Sequence, residues 1–402
     1  MSKRVVVAMS GGVDSSVAAY LIKEAGYEAI GITMQVYDHS SDKKHTFGSC
    51  CGLSDFDDAR MVAEKLDIPY YLLDFEKSFR AEVIDNFVWE YKSGRTPIPC
   101  VHCNNKVKFH HLYNKAKELG ANYIATGHYA NLKKESDGRF HLRKSKDPNK
   151  DQTYFLFGLN QEQLGHTLFP LGEITKPEVR DIARKLNLRT AEKEESVGIC
   201  FVPDKDYAKF VEKQLPEVKE TKGEIVTTDG RVIAHHNGIH NFTVGQRHGL
   251  GIATGAPSYV ISISPETNRV VVGNENDVLF DGLIATGLNW ITVVPAKVTY
   301  VIPSAKRVGT STRTSHVIPA KSVIPAKSVI PANAGIHCRI RYRAPDVPCK
   351  IEPTSDSKIK VTFETPHRAV TPGQAVVFYS NDDCIGGGWI ESGFMKAKAK
   401  NA

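Results

Sequence analysis

The sequence lacks any long hydrophobic run, and none approaches the roughly 18 residues that a membrane-spanning helix needs. Its first residues, MSKRVVVAMSGG, begin with basic side chains, but the apolar part is shorter than that of a signal peptide. We therefore expect no membrane contact, no export and a cytoplasmic location. With 402 residues, 41% of them hydrophobic and 24% charged, the composition is typical of a globular protein with two or three domains.

The chain has little excess charge outside one segment. Its net charge of +7 falls largely on residues 295–337, which hold six lysines and arginines and no acidic residue. Without that segment, 46 basic residues face 45 acidic ones. Global charge therefore gives no argument for nucleic-acid binding. No DNA partner is expected, and any RNA-binding surface must be local.

The eight cysteines have irregular spacings, so a disulfide framework is less expected than metal, cluster or catalytic use. Cys100 and Cys103 lie in GRTPIPCVHCNNKVKF, before a predicted helix, and Cys200 lies in EESVGICFVP. Near Lys106 and Lys108 at a helix start, a thiolate would have a lowered pKa and could act as a nucleophile. Buried structural thiols are the ordinary alternative for each cysteine.

Two common nucleotide-binding motifs are missing, the dinucleotide fingerprint G-x-G-x-x-G and the P-loop G-x-x-x-x-G-K-[ST]. Instead, SGGVDSS at residues 10–16 follows a predicted strand and opens a predicted helix. Glycines and a helix N-terminus at this place predict an anion site. Because the loop lacks the P-loop lysine, it is poorly suited to γ-phosphoryl transfer.

The pattern of elements changes along the chain. Apolar strand-like runs alternate with helical ones as far as about residue 206, which predicts an α/β fold with a doubly wound parallel sheet. The first helix is expected to bury a face that includes Ala25 and to end at Gly26. Short strands separated by turns then predict a small, mainly β central domain and a C-terminal β-barrel. We expect boundaries at 1–205, 206–280 and 281–402.

A proline-rich insertion is expected at about residues 300–336. It contains VIPAKSVIPAKSVIPANA, three copies of a six-residue unit that start at Val317, Val323 and Val329. Three copies are too few for a stacked β-helix, and each contains a proline that cannot donate to a strand ladder. The repeats favour an exposed, polyproline-like segment without a catalytic role.

Several motifs resemble known families. SGGVDSS matches the loop of the PP-loop ATP pyrophosphatases, which split ATP to AMP and pyrophosphate. Together with EYKSGRTPIPCVHCNNKVKF, ATGHYA, KDQTYFL, ESVGICFVP, TVGQRHGLGIA and RAVTPGQAVVFY, in this order, the chain resembles the bacterial tRNA-specific 2-thiouridylase family, MnmA. The resemblance covers nearly the whole chain apart from the repeats.

The resemblance implies a sulfurtransferase that uses ATP and Mg²⁺ to modify tRNA. The C2 oxygen of the wobble uridine would be adenylated, and a persulfide on Cys200 would supply sulfur to give 2-thiouridine. Cys103 would be the partner of Cys200, which either frees the sulfide or closes a disulfide. A cysteine desulfurase or a sulfur-relay protein would be the persulfide donor.

The resemblance also implies binding residues. Those expected to bind the adenine nucleotide are Ala8, Met9, Ser10, Gly11, Gly12, Val13, Asp14, Ser15, Met34 and Gly127. Those expected to contact tRNA are Ile98, Pro99, Cys100, His128, Lys150, Asp151, Gln152, Arg341, Tyr342 and Gln374. Asp14 would hold Mg²⁺ or shape the loop, and no dedicated metal site is expected. Many family members have a carboxylate where this chain has Cys100.

Three alternatives stay open at this point. Cys100, Cys103 and Cys200 could hold three corners of a [4Fe-4S] cluster that takes part in the same thiolation. A PP-loop synthetase could adenylate a small-molecule acceptor instead, and a non-enzymatic RNA-binding protein could keep a vestigial loop. The sequence assigns no role to the remaining cysteines, which are Cys50, Cys51, Cys338, Cys349 and Cys384.

Overall fold

The computed structural model describes residues 3–37, 53–136, 138–195, 198–202, 206–253, 255–292, 294–295, 329–330, 335–355 and 357–395. The predictions on Cys50, Cys51 and most of the repeat segment lie outside these residues. The described strands are β1 (Arg4–Ala8), β2 (Glu28–Gln35), β3 (Tyr70–Asp74), β4 (Tyr123–Thr126), β5 (Asn131–Lys134), β6 (Phe140–Arg143), β7 (Thr167–Leu168), β8 (Gly223–Thr227), β9 (Val232–His236), β10 (Tyr259–Ser264), β11 (Arg269–Gly273), β12 (Leu279–Trp290), β13 (Val294–Pro295), β14 (Val329–Ile330), β15 (Ile336–Arg339), β16 (Val347–Ser355), β17 (Lys358–Arg368), β18 (Ala375–Ser380) and β19 (Asp383–Phe394).

The described α-helices are α1 (Val13–Glu24), α2 (Leu53–Lys65), α3 (Glu76–Phe79), α4 (Asp85–Lys92), α5 (Pro99–His102), α6 (Tyr113–Glu118), α7 (Gln161–Gly165), α8 (Lys176–Lys185) and α9 (Tyr207–Gln214). Two π-helical segments, Arg80–Ile84 and Cys103–Leu112, join α3 to α4 and α5 to α6. Among the described residues, no helix is long and apolar enough to cross a membrane.

The N-terminal sheet is parallel, with strand order β3-β2-β1-β4-β7. The three central valines of β1 are fully buried, and they enter two different cores. Val6 packs into one core, and Val5 and Val7 pack into the other. Since successive residues of a strand point to opposite faces, both faces of this sheet are covered. The predicted doubly wound α/β sheet is confirmed.

The central sheet has four strands in the order β10-β11-β8-β9. β10 pairs with β11 and β8 with β9 in antiparallel fashion, whereas β11 and β8 are parallel. Its small core includes Ile225, Val260 and Val270. The predicted small, mainly β central domain is confirmed.

The C-terminal strands close into a six-stranded barrel. Its order is β12-β17-β16-β15-β18-β19, and β12 pairs again with β19 to complete the ring. The interior is filled by apolar side chains such as Leu283, Val361 and Phe378, all of them buried. Closure removes the exposed edges of an open sheet and confirms the predicted barrel.

A hairpin from the N-terminal half of the chain joins this barrel. β5 and β6 pair with each other, and β6 pairs with β19 through Leu142 opposite Cys384. The segment that follows β6 also contacts the barrel, since Lys144 Nζ lies 2.6 Å from the Asp346 carboxylate. The hairpin therefore extends the sheet from β19 without being one of the six barrel strands, and residues 150–152 follow shortly after it in the chain.

Candidate active site

The predicted nucleotide residues meet at one edge of the parallel sheet. Ala8 ends β1, Met34 lies near the end of β2, and Gly127 directly follows β4. β1 pairs with both neighbours, with Ala8 opposite Ile32 on one side and Thr126 on the other. The carboxyl ends of adjacent parallel strands are where open α/β sheets bind ligands.

The loop between β1 and α1 presents backbone amides rather than side chains. Gly12 is the N-cap of α1 with an extended backbone, and no side chain caps the helix. Ser15 Oγ is used inside the loop, because it accepts a hydrogen bond from Ser10 N and donates one to Gly12 O, both at 3.1 Å. The first amides of α1 and the positive end of its dipole are therefore available to an anion.

Two glycines let other elements approach this loop closely. Gly11 has φ +71° and lies against the backbone of Asp55 in α2. Gly127 lies against the start of α1, where an added Cβ would be 2.7 Å from Ser15 N. The loop is thus packed between α2 and the end of β4, without room for larger residues at either glycine.

A buried lysine fixes Asp14, and the sequence analysis missed it. Lys176 Nζ lies 2.7 Å from both oxygens of the Asp14 carboxylate, and Tyr129 Oη donates to the same carboxylate at 2.7 Å. Burial and the neighbouring Asp14 raise the pKa of Tyr129, which keeps its proton. Lys176 and Tyr129 therefore fix the Asp14 carboxylate in the first turn of α1.

A second lysine holds the other side of the loop. Lys193 Nζ donates to Gly11 O at 3.0 Å and pairs with the carboxylates of Asp55 and Asp58 at 2.5 Å each. Burial by itself would lower the pKa of Lys193, but the hydrogen bonds to the two carboxylates raise it overall. The lysine is therefore charged, and it ties α2 to the loop.

The two predicted catalytic cysteines border the same core as Ala8 at the end of β1. Cys103 begins the ten-residue π-helical segment Cys103–Leu112, and Cys200 lies in the described stretch 198–202. Both are half-buried against the core that Ala8 and Met34 also border. π-Helical turns are rare and concentrate at functional sites, so the position of Cys103 at the start of one favours a functional role.

The predicted base-contacting loop connects to the barrel. Ile98 and Pro99 are buried and Cys100 is exposed. Gln374, in the barrel, donates from Nε2 to Thr96 O at 2.9 Å. The structure therefore brings Gln374 and the 98–100 loop together, with one thiol of that loop facing solvent.

Residues 150–152 lie between the loop and the barrel. Asp151 is 3% exposed and faces inward, with Arg339 Nη1 3.2 Å from its carboxylate, and burial raises its pKa. Gln152 accepts from Tyr129 N at 2.9 Å, and Lys150 pairs with Glu195 at 2.7 Å. Asp151 therefore anchors this segment internally, while Lys150 and Gln152 lie nearer its surface.

Arg341 and Tyr342 follow β15 in the barrel. Arg341 donates from Nη2 to Ala369 O at 2.8 Å. The Tyr342 ring packs on Phe155, with ring centroids 4.3 Å apart. Since Phe155 closely follows residues 150–152, the structure brings Tyr342 to that segment, whereas the contact made by Arg341 lies within the barrel.

Family models match most of the chain. Residues 3–204 match the tRNA methyl transferase HUP domain, residues 208–274 the PRC-barrel domain of the same family, and residues 318–390 the aminomethyltransferase beta-barrel domain. Curated relatives match nearly the whole chain. A tRNA-specific 2-thiouridylase MnmA from Geobacter metallireducens is 47% identical over 97% of this chain and 97% of its own. The chain belongs to the MnmA family.

Other MnmA proteins are equally similar. The one from Geotalea uraniireducens is 48% identical over 97% of this chain and 95% of its own, and the one from Lachnoclostridium phytofermentans is 48% identical over 96% and 99%. The resemblance identified from the motifs is confirmed.

A [4Fe-4S] cluster on Cys100, Cys103 and Cys200 would need their three thiols to converge. Among the residues that the structure describes, no group of three or more His, Cys, Asp or Glu side chains could hold a metal ion. Cys100, Cys103 and Cys200 are described residues, and they therefore do not form a ready ligand set for a [4Fe-4S] cluster. No disulfide joins any of the described cysteines. Of the cysteines without a role, Cys338 and Cys384 are buried in the barrel.

Aromatic packing fixes the position of Cys200. Its neighbour Phe201 is buried, with ring centroids 5.2 Å from Phe87 and from Phe210. We expect Phe201→Ala to lower the free energy of unfolding by about 3–5 kcal/mol because it leaves a cavity in this cluster. Trp89→Ala, at a 58% exposed site, should change it by less than about 0.5 kcal/mol in the same urea titration. Equal effects of the two variants would contradict this packing.

His128 is a neutral histidine near the loop. Thr126 Oγ1 lies 2.8 Å from its Nδ1, and burial, with a smaller effect of Lys108, holds the pKa of His128 well below its ordinary value. Below about pH 6.5 the unfolded chain binds a proton at this residue that the folded chain does not, so stability falls as pH falls.

His128→Gln should remove this contribution. We expect the loss of unfolding free energy from about pH 6 to about pH 5 to be smaller in the variant by up to about 1.4 kcal/mol. Urea denaturation of both proteins at the two pH values measures the difference. An unchanged pH dependence would show that His128 is protonated in the folded chain.

Proposed function

We propose that this chain is a tRNA-uridine 2-sulfurtransferase, which uses ATP to convert the wobble uridine of tRNA to 2-thiouridine. One observation carries the proposal: two half-buried cysteines border the core that Ala8, directly before the anion-binding loop, also borders, in a chain of the MnmA family. The loop suits activation of an oxygen, and the thiols suit delivery of sulfur.

In the first step, the uridine C2 oxygen attacks the α-phosphorus of ATP, and pyrophosphate leaves. The amides at the start of α1 would bind the pyrophosphate end, and Gly11 and Gly127 allow close approach of the loop. Asp14 lies in the first turn of α1 and would receive Mg²⁺ there. The new bond to phosphorus makes the C2 oxygen part of a good leaving group, AMP, which the second step needs.

In the second step, the terminal sulfur of a persulfide on Cys200 attacks C2. The thiolate of Cys103 then attacks the Cys200 sulfur, the persulfide S–S bond breaks, and a Cys103–Cys200 disulfide forms. The bond between C2 and the AMP oxygen breaks, AMP leaves, and sulfur remains on C2. Reduction of the disulfide by an external thiol and a new persulfide from a donor protein complete the cycle.

We also propose a sulfur donor, a location, tRNA contacts and domain boundaries for this chain. A cysteine desulfurase or a sulfur-relay protein is the proposed donor, and the cytoplasm is the proposed location. Contact with tRNA is proposed for Lys150, Gln152 and Tyr342, together with the 98–100 loop. The domain boundaries at residues 205 and 280 remain proposals as well. The phosphate loop and the cysteine pair favour thiolation over the methyl transfer that the family-model description mentions.

Release of AMP tests the acceptor. We expect the protein to form AMP and pyrophosphate only when a tRNA with a wobble uridine is present, and not with the same tRNA carrying cytidine there. AMP formation with small carboxylates in place of tRNA would support the small-molecule synthetase instead. Tight tRNA binding without any AMP would support the RNA-binding alternative.

A further inference from the structure

A chain of ion pairs links residues 150–152 to the phosphate loop. The Glu195 carboxylate accepts from Lys150 Nζ at 2.7 and 2.8 Å, and its Oε1 lies 3.1 Å from Lys176 Nζ. Lys176 Nζ in turn contacts both oxygens of Asp14 at 2.7 Å. Glu195 and Asp14 therefore compete for the same ammonium group, and Lys150 and Lys176 share the Glu195 carboxylate.

Lys176 has little freedom to find other partners. Its side chain is 9% exposed, whereas Asp14 is 32% and Glu195 39% exposed. It is the first residue of α8, where the helix dipole disfavours a cation. A buried ammonium in this position needs carboxylate neighbours, so its charge is divided between Asp14 and Glu195.

Lys193 and Glu195 are close in sequence to Cys200. Lys193 holds Gly11 O from one side of the loop, and Glu195, two residues later, holds Lys176 on the other. Cys200 follows five positions after Glu195. Lys193 and Glu195 therefore contact residues on both sides of the phosphate loop.

We propose that Glu195 is a positioning residue that couples binding of tRNA to binding of Mg-ATP. A tRNA phosphate that pairs with Lys150 removes this lysine from Glu195. The freed carboxylate then holds Lys176 more strongly, and Lys176 releases Asp14 to the cation that accompanies ATP. Each ligand therefore tightens the binding of the other, as linkage requires. The inference rests on the proposed function, since it takes tRNA and ATP as the two ligands.

The test measures the dissociation constant of the non-hydrolysable analogue α,β-methylene-ATP with Mg²⁺, with and without a transcribed tRNA that has a wobble uridine. In the unmodified protein, tRNA should tighten the analogue by about tenfold. In Glu195→Gln, the effect of tRNA should fall below about twofold, and the affinity should be no higher than that of the unmodified protein without tRNA, because Lys176 then pairs with Asp14 alone. Glu192→Gln, at an exposed site paired with Arg184, is the matched control and should keep the full effect.

A second variant gives a result in the opposite direction. Lys150→Met removes the competing lysine, so it should bind the analogue about tenfold more tightly than the unmodified protein when no tRNA is present. If Glu195 had only a structural role, removal of its partner Lys150 would not raise the affinity for the analogue. This variant also decides the matter if Glu195→Gln does not fold, which circular dichroism would show.

Three outcomes would overturn the inference. They are a full tRNA effect in Glu195→Gln, an unchanged or weaker affinity in Lys150→Met, and no tRNA effect in an unmodified protein that still makes 2-thiouridine. In the last case the proposed function stands without the coupling. If the unmodified protein makes no 2-thiouridine and tRNA has no effect on the analogue, the proposed function fails together with the inference.

Discussion

Gly127→Val should abolish ATP-dependent activity. The added side chain would overlap the start of α1, since even a Cβ at this position lies 2.7 Å from Ser15 N and 2.8 Å from Asp14 C. These are backbone atoms of the predicted phosphate site, and they cannot move without moving the amides. We expect the dissociation constant of Mg-ATP to rise at least about 100-fold, which corresponds to about 2.7 kcal/mol. Isothermal titration calorimetry measures it.

Gly12, in the loop between β1 and α1, provides the comparison for folding. A Cβ on Gly12 would meet nothing closer than Ser10 Oγ at 3.6 Å. Gly12→Ala should therefore leave the free energy of unfolding within about 0.5 kcal/mol of the unmodified value, whereas Gly127→Val should lower it by about 1–3 kcal/mol through overpacking. Unchanged Mg-ATP affinity in Gly127→Val would place the nucleotide elsewhere.

Asp14→Asn is expected to have the second large effect. The change removes the charge that faces Lys176 and leaves this ammonium with Glu195 alone, at 3.1 Å. Breaking a fully buried pair costs about 3–5 kcal/mol, and because Asp14 is 32% exposed we expect about 1–3 kcal/mol of lost stability. The loss of the proposed Mg²⁺ ligand should lower tRNA-dependent AMP formation at least about 100-fold.

An exposed aspartate on α8 serves as the control for Asp14→Asn. Asp181 pairs with Arg184 one turn later and is 60% exposed. Asp181→Asn should therefore change stability by less than about 0.5 kcal/mol and leave AMP formation unaltered. If Asp14→Asn behaved like this control in urea denaturation and in the AMP assay, the carboxylate would have no part in the loop.

Local patterns predicted the fold and the loop because both depend on neighbouring residues. The alternation of strand and helix signals indicated the parallel sheet, and SGGVDSS indicated the anion site at its edge. Where the prediction of α1 was wrong, the error was at the helix end. Ala25 was expected on the buried face, but it is the exposed C-cap residue, and Gly26 turns the chain with φ +80°.

Long-range pairing set the limit of what the sequence could predict. Lys176 contacts Asp14 across 162 positions, and Lys193 contacts Gly11 across 182, so no local window contains both partners. A local sequence pattern does indicate that Lys176 needs an acidic partner. Thr175 and Glu178 form a capping box, which marks a helix start, and a lysine directly after that cap opposes the helix dipole and needs an acidic partner. No comparable pattern marks the pairing of β6 with β19.

The most direct test of the central claim is nucleoside mass spectrometry of an unmodified tRNA after incubation with metal-free protein, Mg-ATP and a persulfide donor. We predict 2-thiouridine with the unmodified protein and with the barrel control Cys349→Ser, and none with Cys200→Ser or Cys103→Ser. Persistence of 2-thiouridine in Cys200→Ser, or its appearance only after iron and sulfide are supplied without oxygen, would contradict sulfur transfer through a Cys200 persulfide.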